Sequence, residues 1–417
     1  MSRETASGKG RGLAGLGPGL LVAATGVGAG DLIAAAVAGR QYGLAVLWVV
    51  VVGAGCKWLL NEGIARWQLA TGESIISAWA TRMPRWVSWY FGGYLVIWGF
   101  LVGGALGSAC GVALKTLWPD APGSVGVWAG VHALLGLLIV RFGRYQKFER
   151  IMQVLIALMF VFVISCGLWL SPSWGEVARG LIVPTIPTGS VWVLLSLMGG
   201  VGGSATLLCY GYWMKEKGWQ GVAAHPRARW DLLVAYTLTA AFAIAMVVLA
   251  AGAEPDNASG TALVLALSER LEELLGVVGK QLFLAGFWCA VFSSLLGVWQ
   301  GVPYLFNDWW LSRFGQAGKP VSSPTETNPY RWFLVYLAIP PLLLQVMERP
   351  LLVVVIYAVV GAFFMPLLGG TLLVLNNRTE WVGALRNGRL VNAGLLFSLI
   401  VFGALFVVEL YTRFSAL

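Results

Sequence analysis

The sequence predicts an all-α, multi-pass membrane protein with eleven transmembrane helices and a cytoplasmic N-terminus. Of its 417 residues, 58% are hydrophobic and only 11% are charged, whereas soluble domains carry about 25% charged residues. Eleven apolar runs approach the ~20 residues that a membrane-spanning helix needs. With the N-terminus inside, 20 of the 28 Lys and Arg residues fall in cytoplasmic segments and 7 in external ones, which is the expected bias. The runs are residues 17–39, 43–66, 87–114, 124–141, 150–171, 189–214, 230–252, 280–307, 331–348, 350–376 and 389–411.

Two of these runs are interrupted by glycines. The stretch 24–31 contains Gly26, Gly28 and Gly30, and the stretch 199–206 repeats its Gly-Val-Gly core 174 positions later. Each glycine costs a helix about 1 kcal/mol relative to Ala, and a broken backbone in lipid must line a protein-enclosed cavity. Two Gly-interrupted spans at matching places in two halves of a chain point to a transporter's binding site.

The spacing of the breaks predicts the domain organisation. They lie five spans apart, so their helices cross the membrane in opposite directions. This predicts an inverted repeat of five plus five helices, over residues 17–171 and 189–376, with 389–411 as an additional eleventh helix. Residues 1–16 are polar and basic and are predicted to form a cytoplasmic tail. A short amphipathic helix is expected at Thr261–Leu275, within an external loop.

The candidate substrate- or ion-binding residues flank the two breaks. Asp31 is the only charge in its apolar run, and an ionisable group at membrane depth is costly without a partner. It is also the candidate metal ligand, although it could serve only as the N-cap of the helix that follows. At the second break, the hydroxyls of Ser204 and Thr206 are candidate ligands, although such side chains often hydrogen bond to their own helix instead. For Tyr210 and Cys209, the alternative to ligand contact is packing. The full set is Gly26, Gly28, Asp31, Gly202, Ser204, Ala205, Thr206 and Tyr210.

Charged residues of the second run are further candidates. Lys57 lies too deep in run 43–66 for its stem to reach the interface comfortably. We expect it to pair with Asp31 or to supply a positive charge to the cavity; the alternative is a bond to helix carbonyls or to Asn61. Glu62 and Arg66, spaced i and i+4, are predicted to form an ordinary surface pair, with an inner gate as the alternative. His225 is predicted to be solvated in a cytoplasmic loop.

Several motifs resemble helices 1 and 2 of the Nramp divalent-metal transporters. They are Gly17-Pro18-Gly19-Leu20-Leu21-Val22, the stretch from Val37 to Leu47, Ile64-Ala65-Arg66 and Thr71-Gly72. Weaker similarity recurs at 205–206, 377–378 and 382–383. The resemblance implies a LeuT-like fold with discontinuous helices 1 and 6, and transport of a divalent metal ion.

The family's metal-binding motifs are replaced in this sequence. The Asp-Pro-Gly-Asn motif aligns with Gly28-Ala29-Gly30-Asp31, so Gly28 stands at the ligating Asp and Asp31 at the ligating Asn. In the second motif, Leu208 stands at the thioether and Tyr210 at the His. The acidic residues that family members place in helix 3 are missing between Val87 and Leu114.

We therefore predict a secondary active transporter of the cell membrane that moves a small ion by alternating access, with H⁺ as a candidate coupling ion. Oxygen ligands favour a hard ion such as Mg²⁺ or Mn²⁺, unless Cys209 turns inward. The alternative is a small anion or amino-acid-like zwitterion, bound at the half-helix ends with Lys57 as a built-in cation. A channel is disfavoured because the sequence contains no repeated selectivity-filter motif. A non-transporting sensor remains an alternative.

The same residues exclude other classes of function. The sequence contains no Walker loop, HExxH or GxSxG motif, so we expect no enzyme activity and no cofactor. The basic residues are scattered through short loops, which disfavours a nucleic-acid partner. The expected partners are the lipid bilayer, the substrate and a coupling ion.

Overall fold

The computed structural model describes residues 17–170, 172–251, 261–315, 324–347, 360–361 and 364–414. Every regular element within these ranges is helical. The predicted tail 1–16 and the first part of the predicted span 350–376 lie outside them. So does the side chain of Asp31, although its backbone belongs to a helix.

The first predicted span is two helices. Helix α1 runs from Pro18–Gly26 and α2 from Ala29–Tyr42, so the predicted break is confirmed at residues 27–28. A 3₁₀ turn, Gly43–Val46, leads into α3, Leu47–Thr71. The left-handed Gly72, at φ 75°, ends α3, as expected for a residue without a Cβ.

The next helices mostly agree with the predicted spans. They are α4 Ile75–Thr81, α5 Arg85–Leu117, α6 Val125–Phe142, α7 Tyr145–Trp169 and α8 Trp174–Ile182. The short helices α4 and α8 were not predicted. Ser74 and Ser124 cap α4 and α6, because each hydroxyl accepts a hydrogen bond from a backbone N–H of the first turn.

The second predicted break is also confirmed. Helix α9, Val191–Gly200, ends before residues 201–204; a 3₁₀ turn, Ala205–Leu208, then leads into α10, Cys209–Glu216. Helix α11 is His225–Ala250. Helix α12, Thr261–Phe314, is interrupted at Gly276, at φ 71° and ψ −176°. The interruption separates the predicted helix at 261–275 from the long helix that contains run 280–307.

The last part of the chain departs from regular spans. Helix α13, Asn328–Ala338, continues only as a 3₁₀ segment, Pro340–Met347, because two consecutive prolines cannot extend an α-helix. An uninterrupted α-helix over 331–348 was therefore wrong. Helix α14 is Phe364–Leu375, α15 Thr379–Val382 and α16 Arg389–Phe414.

Within the described residues, seven helical segments are long and apolar enough to cross a membrane. The number is eight if the bent pair Thr379–Leu385 and Arg389–Ala404, at 113°, forms one span. One segment, Leu32–Thr71, includes both α2 and α3. The chain is thus a multi-pass membrane protein, while the total of eleven spans and the inverted repeat stay predictions.

The two broken helices occupy the centre of this bundle. Helix α1 contacts α7, α11 and α12, and α2 contacts α9 and α11. Residues of α1 such as Leu21, Ala23 and Ala24 are fully buried. The break residue Val27 and the facing Val201 are each 2% exposed. The breaks therefore lie in the protein interior, which is where irregular backbone at membrane depth is tolerated.

Candidate functional site: two helix breaks in contact

The first break leaves the last carbonyl groups of α1 near the serines of α12. Ser293 Oγ donates a hydrogen bond to the carbonyl oxygen of Ala24 at 3.2 Å, and Ser294 Oγ donates to that of Thr25 at 2.8 Å. Val27, at φ −90° and ψ 73°, has left the helical conformation. The two hydroxyls thus satisfy peptide groups at the end of the half-helix, in an interior where an unsatisfied group is costly.

The second break is made by two left-handed glycines. Gly202 has φ 87° and Gly203 φ 77°, a region that costs other L-residues roughly 1–2 kcal/mol. A Cβ on Gly202 would also lie 2.8 Å from Cε1 of Tyr236. Glycine is therefore required at this position for both its backbone and its packing.

The two breaks contact each other through their backbones. A Cβ on Gly26 would lie 3.0 Å from the carbonyl carbon of Gly202 and 3.1 Å from its oxygen. A Cβ on Gly203 would lie 3.3 Å from the Cα of Gly26. The structure thus brings together Gly26 and Gly202, two residues predicted from positions far apart in the chain.

Lys57 is bound to the second break. Its side chain is completely buried, and Nζ donates hydrogen bonds to the carbonyl oxygens of Gly203 and of Gly199, the latter at 3.1 Å. Nζ also lies 5.5 Å from the centre of the Phe402 ring. The hydrogen bonds to helix carbonyls, one of the two alternatives for Lys57, are thus present, while the predicted pairing with Asp31 lies outside the described side chains. Its ammonium group sits at the C-terminal end of α9, where the helix dipole favours a cation.

The remaining candidates are divided between the break and its surroundings. Thr206 Oγ1 would lie 2.5 Å from a Cβ on Gly203, and Ser204 Oγ would lie 3.4 Å from one on Gly361. Ala205 is fully buried. Gly28 faces α12, since a Cβ there would lie 3.2 Å from Ser294 Oγ. These positions surround the contact between the breaks.

Tyr210 and Cys209 point away from the breaks. The hydroxyl of Tyr210 donates to Asp231 Oδ2 at 3.0 Å and to the carbonyl of Ala228 at 3.2 Å, and the side chain is fully buried. Cys209 is also fully buried, and its Sγ would lie 2.7 Å from a Cβ on Gly301 of α12. Both side chains are held in packing or hydrogen-bonding roles between helices.

Asp231 is a buried carboxylate at the start of α1 that the sequence did not single out. Its carboxylate accepts hydrogen bonds from the backbone N–H of Gly19 at 2.6 Å and of Gly17 at 3.4 Å. With the Tyr210 hydroxyl on Oδ2, it ties the start of α1 to α10 and α11. Asp231 is the second residue of the predicted span 230–252, so its position in an apolar run was the available signal.

The prediction of a surface pair at Glu62 and Arg66 is wrong. The ion pair exists, with Arg66 Nη2 2.6 Å from Glu62 Oε1, but Glu62 is 1% exposed and Arg66 6%. Arg66 Nη1 also donates to Asn387 Oδ1 at 3.1 Å. The start of α11 and the segment before α16 cover this side of α3, which a helical spacing alone does not reveal.

The prediction of a solvated His225 is also wrong. His225 is the first residue of α11, and its Nε2 lies 2.7 Å from Glu62 Oε1 with 13% of the side chain exposed. With Arg229 Nε 3.9 Å away, Glu62 lies close to three basic side chains, an arrangement that leaves the inner-gate alternative in place as a prediction.

Metal ligands are scarce among the side chains that the structure describes. The described side chains include no group of three or more His, Cys, Asp or Glu residues that could hold a metal ion. Oxygen donors do occur at the break: Thr25 Oγ1 and Ser204 Oγ are buried and have no hydrogen-bond partner within the described part of the chain. A cation here would be held by hydroxyl and carbonyl oxygens, together with any contribution from Asp31.

Comparison with known proteins identifies the family of this chain. A family model described as natural resistance-associated macrophage protein-like, or Nramp, matches residues 19–412. The chain belongs to the Nramp family. It is therefore a member of a transporter family and not an enzyme.

Relatives and solved structures agree with this Nramp assignment. The chain is 26% identical over 318 residues to a divalent metal cation transporter, MntH, of Klebsiella pneumoniae, covering 72% of this chain and 75% of the relative. A crystal structure of a mutant Eremococcus coleocola manganese transporter is similar with a TM-score of 0.76 and 16% identity, over 95% and 86% of the two chains. MhsT in complex with L-phenylalanine matches with a TM-score of 0.62 and 17% identity, over 93% and 97%. At these identities the structures show the fold, which is LeuT-like.

Proposed function

We propose that this Nramp-family chain transports a metal ion across the cell membrane by alternating access at the contact between its two helix breaks. The single observation that supports this most strongly is the approach of Gly26 to Gly202, deep in the bundle. Broken spans are costly in lipid, and their retention is expected where the irregular backbone serves a binding site. The curated relatives are named as divalent metal cation transporters.

The donor chemistry favours a hard ion such as Mg²⁺ or Mn²⁺. The hydroxyls of Thr25 and Ser204, which have no hydrogen-bond partner within the described residues, offer oxygen ligands. The sulfur-bearing side chains nearest to the second break in sequence, Met198 and Cys209, face Gly53 and Gly301. Oxygen shells suit hard cations better than soft ones. We assign Asp31 as the metal-binding carboxylate and H⁺ as the coupling ion.

A second candidate function is supported by Lys57. Its buried ammonium group fixes a positive charge at the second break, beside the residues assigned to the site. Such a charge would weaken a dication site and would attract a small anion or an amino-acid-like zwitterion. In this alternative, the N–H groups at the half-helix ends would bind the substrate carboxylate.

One flux experiment separates the two functions. Purified protein in liposomes is tested for uptake of Mg²⁺, Mn²⁺ and Ca²⁺, with and without a pH gradient, and for uptake of labelled amino acids and small anions. Metal uptake that Asp31→Ala abolishes supports the first proposal. Anion or amino-acid uptake that Lys57→Met abolishes, without metal uptake by the unmodified protein, would replace it with the second. Absence of flux for every substrate would contradict both and favour a sensor.

A further inference from the structure

An apolar groove of about 620 Å³ lies on the outer surface of the bundle between α3 and α11. On α11 its lining includes Leu233, Thr237, Ala240 and Ile244, on α3 Val51, Ala54, Gly55 and Trp58, and on α8 Leu181. These positions follow the i, i+3, i+4 spacing that places residues on one helical face. From Leu233 to Ile244 the face extends roughly 16 Å at 1.5 Å per residue, about half of the ~30 Å hydrocarbon core. The groove therefore faces lipid acyl chains over about that distance.

A basic side chain stands at one end of this groove. Arg229 precedes Leu233 by one turn of α11, and its guanidinium lies 5.7 Å from the ring of Trp58. Its side chain is 52% exposed. The neighbouring Trp230 is 58% exposed, and exposed tryptophans are typical of the level of the lipid headgroups.

The carboxylate near Arg229 is already engaged by two other basic side chains. Glu62 Oε1 lies 3.9 Å from Arg229 Nε, but 2.6 Å from Arg66 Nη2 and 2.7 Å from His225 Nε2. The end of the groove therefore carries more positive than negative charge, and its exposed member is Arg229. A phosphate group held there would extend its acyl chain along the apolar face.

We propose that the groove between α3 and α11 binds an anionic phospholipid, with the phosphate at Arg229 and one acyl chain between the two helices. The start of α11 is on the predicted cytoplasmic side, so the lipid belongs to the inner leaflet. An anionic headgroup is favoured over a zwitterionic one because it lacks the ammonium group that Arg229 would repel.

The test is a lipid titration of the purified full-length protein, with bound lipid counted by native mass spectrometry. We expect tighter binding of phosphatidylglycerol than of phosphatidylcholine. Arg229→Gln should weaken phosphatidylglycerol binding about fivefold, the effect of roughly 1 kcal/mol per basic residue near anionic lipid. Arg229→Lys should retain most of it. Gly55→Leu should weaken the binding of both lipids, because a Cβ at Gly55 meets no atom within 4 Å and the side chain would fill the groove.

Two matched controls distinguish this site from general surface effects. Arg378 has a similar setting elsewhere, 59% exposed, 3.8 Å from Glu380 and 6.0 Å from the ring of Trp381. Gly93 is an exposed helix glycine that, like Gly55, has nothing within 4 Å of an added Cβ. Arg378→Gln and Gly93→Leu should bind both lipids as the unmodified protein does. Unchanged binding in Arg229→Gln, equal losses in Arg378→Gln, equal binding of the two lipids or unchanged binding in Gly55→Leu would each overturn the proposal.

Discussion

Lys57 is a fully buried lysine held by backbone carbonyls at the second break. Burying an ammonium group is costly unless it is hydrogen bonded, and here two backbone carbonyls of the second break compensate. The benefit is mutual, because the lysine satisfies peptide oxygens that the interrupted helix cannot. Lys57 thus supports the broken conformation of the second span and fixes the local charge of the proposed site.

We expect Lys57→Met to leave the protein folded but without transport. Hydrogen bonds to charged groups contribute about 1.5–3 kcal/mol, so the melting temperature should fall while flux in liposomes is lost. Lys115→Met is the matched control, since Lys115 Nζ also donates to two carbonyls, those of Pro119 and Ala121 at 2.8 Å each, far from the breaks. Flux at the level of the unmodified protein in Lys57→Met would show that the site does not need this charge.

Gly202 tests how strictly the break requires its conformation. Gly202→Ala should be destabilising both through the left-handed φ of 87° and through the contact of the new Cβ with Tyr236, 2.8 Å away. Gly218→Ala isolates the first effect, because its φ is 69° and nothing lies within 4 Å. We expect a cost of roughly 1–2 kcal/mol for Gly218→Ala and a larger one for Gly202→Ala, measured by thermal unfolding in detergent. Equal melting temperatures would mean that the packing at Tyr236 relaxes freely.

Half-helix α1 is an element anchored at both of its ends. Asp231 accepts hydrogen bonds from the N–H groups of Gly17 and Gly19 at its start, and Ser293 and Ser294 bind the carbonyls near its end. A nine-residue helix has little stability of its own, because isolated helices shorter than ~12–15 residues are marginal. Its position therefore depends on these neighbours, all of which belong to α11 and α12.

Asp231→Asn should loosen α1 while preserving the volume of the side chain. The amide loses the charge that favours the N–H groups of Gly17 and Gly19, so we expect faster hydrogen exchange in peptides that contain residues 17–26. Tyr210→Phe removes only one hydrogen bond from the same carboxylate and should have a smaller effect. Exchange in α6, which is distant from this contact in the chain, serves as the internal reference. Unchanged protection of 17–26 in Asp231→Asn would mean that packing alone holds α1.

In the helix bundle, helix ends that are predicted to lie on the same side of the membrane contact each other. Lys217 pairs with Glu149 at 2.7 Å, joining two ends that are predicted to be cytoplasmic. Thr185 Oγ1 donates to the carbonyl of Ala45 at 2.9 Å, joining two that are predicted to be external. These contacts agree with the alternation of the two sides that the distribution of Lys and Arg predicts, whereas they would be the same in an inverted protein.

Introduced cysteines test this orientation. Lys147→Cys and Glu176→Cys are exposed positions on the predicted cytoplasmic and external sides, respectively. A membrane-impermeant thiol reagent added to intact cells should label only the cysteine at 176, and permeabilised cells should show both. The unmodified protein is the control, because its five cysteines are all buried. Labelling at 147 in intact cells would invert the assigned topology.

The sequence by itself determined the membrane class, most of the long helices and both breaks. These depend on local properties: apolar length, the weakness of Gly26, Gly28, Gly202 and Gly203 as helix formers, and the need to satisfy backbone groups in lipid. The family resemblance also depends on local sequence, because each motif that carries it is a contiguous stretch. The short helices α4 and α8 were not predicted because each is shorter than the window of about 11–18 residues in which a helical periodicity is recognised.

Only the tertiary structure decided which polar groups meet. The contact of Gly26 with Gly202, the binding of Lys57 to Gly199 and Gly203, and the anchoring of α1 by Asp231 each join residues more than 140 positions apart. The same holds for Glu62, whose spacing from Arg66 suggests a surface pair until His225 is brought against it. Spacing along one helix specifies which residues share a face, but the partner of that face, and hence its burial, is set by how the helices pack.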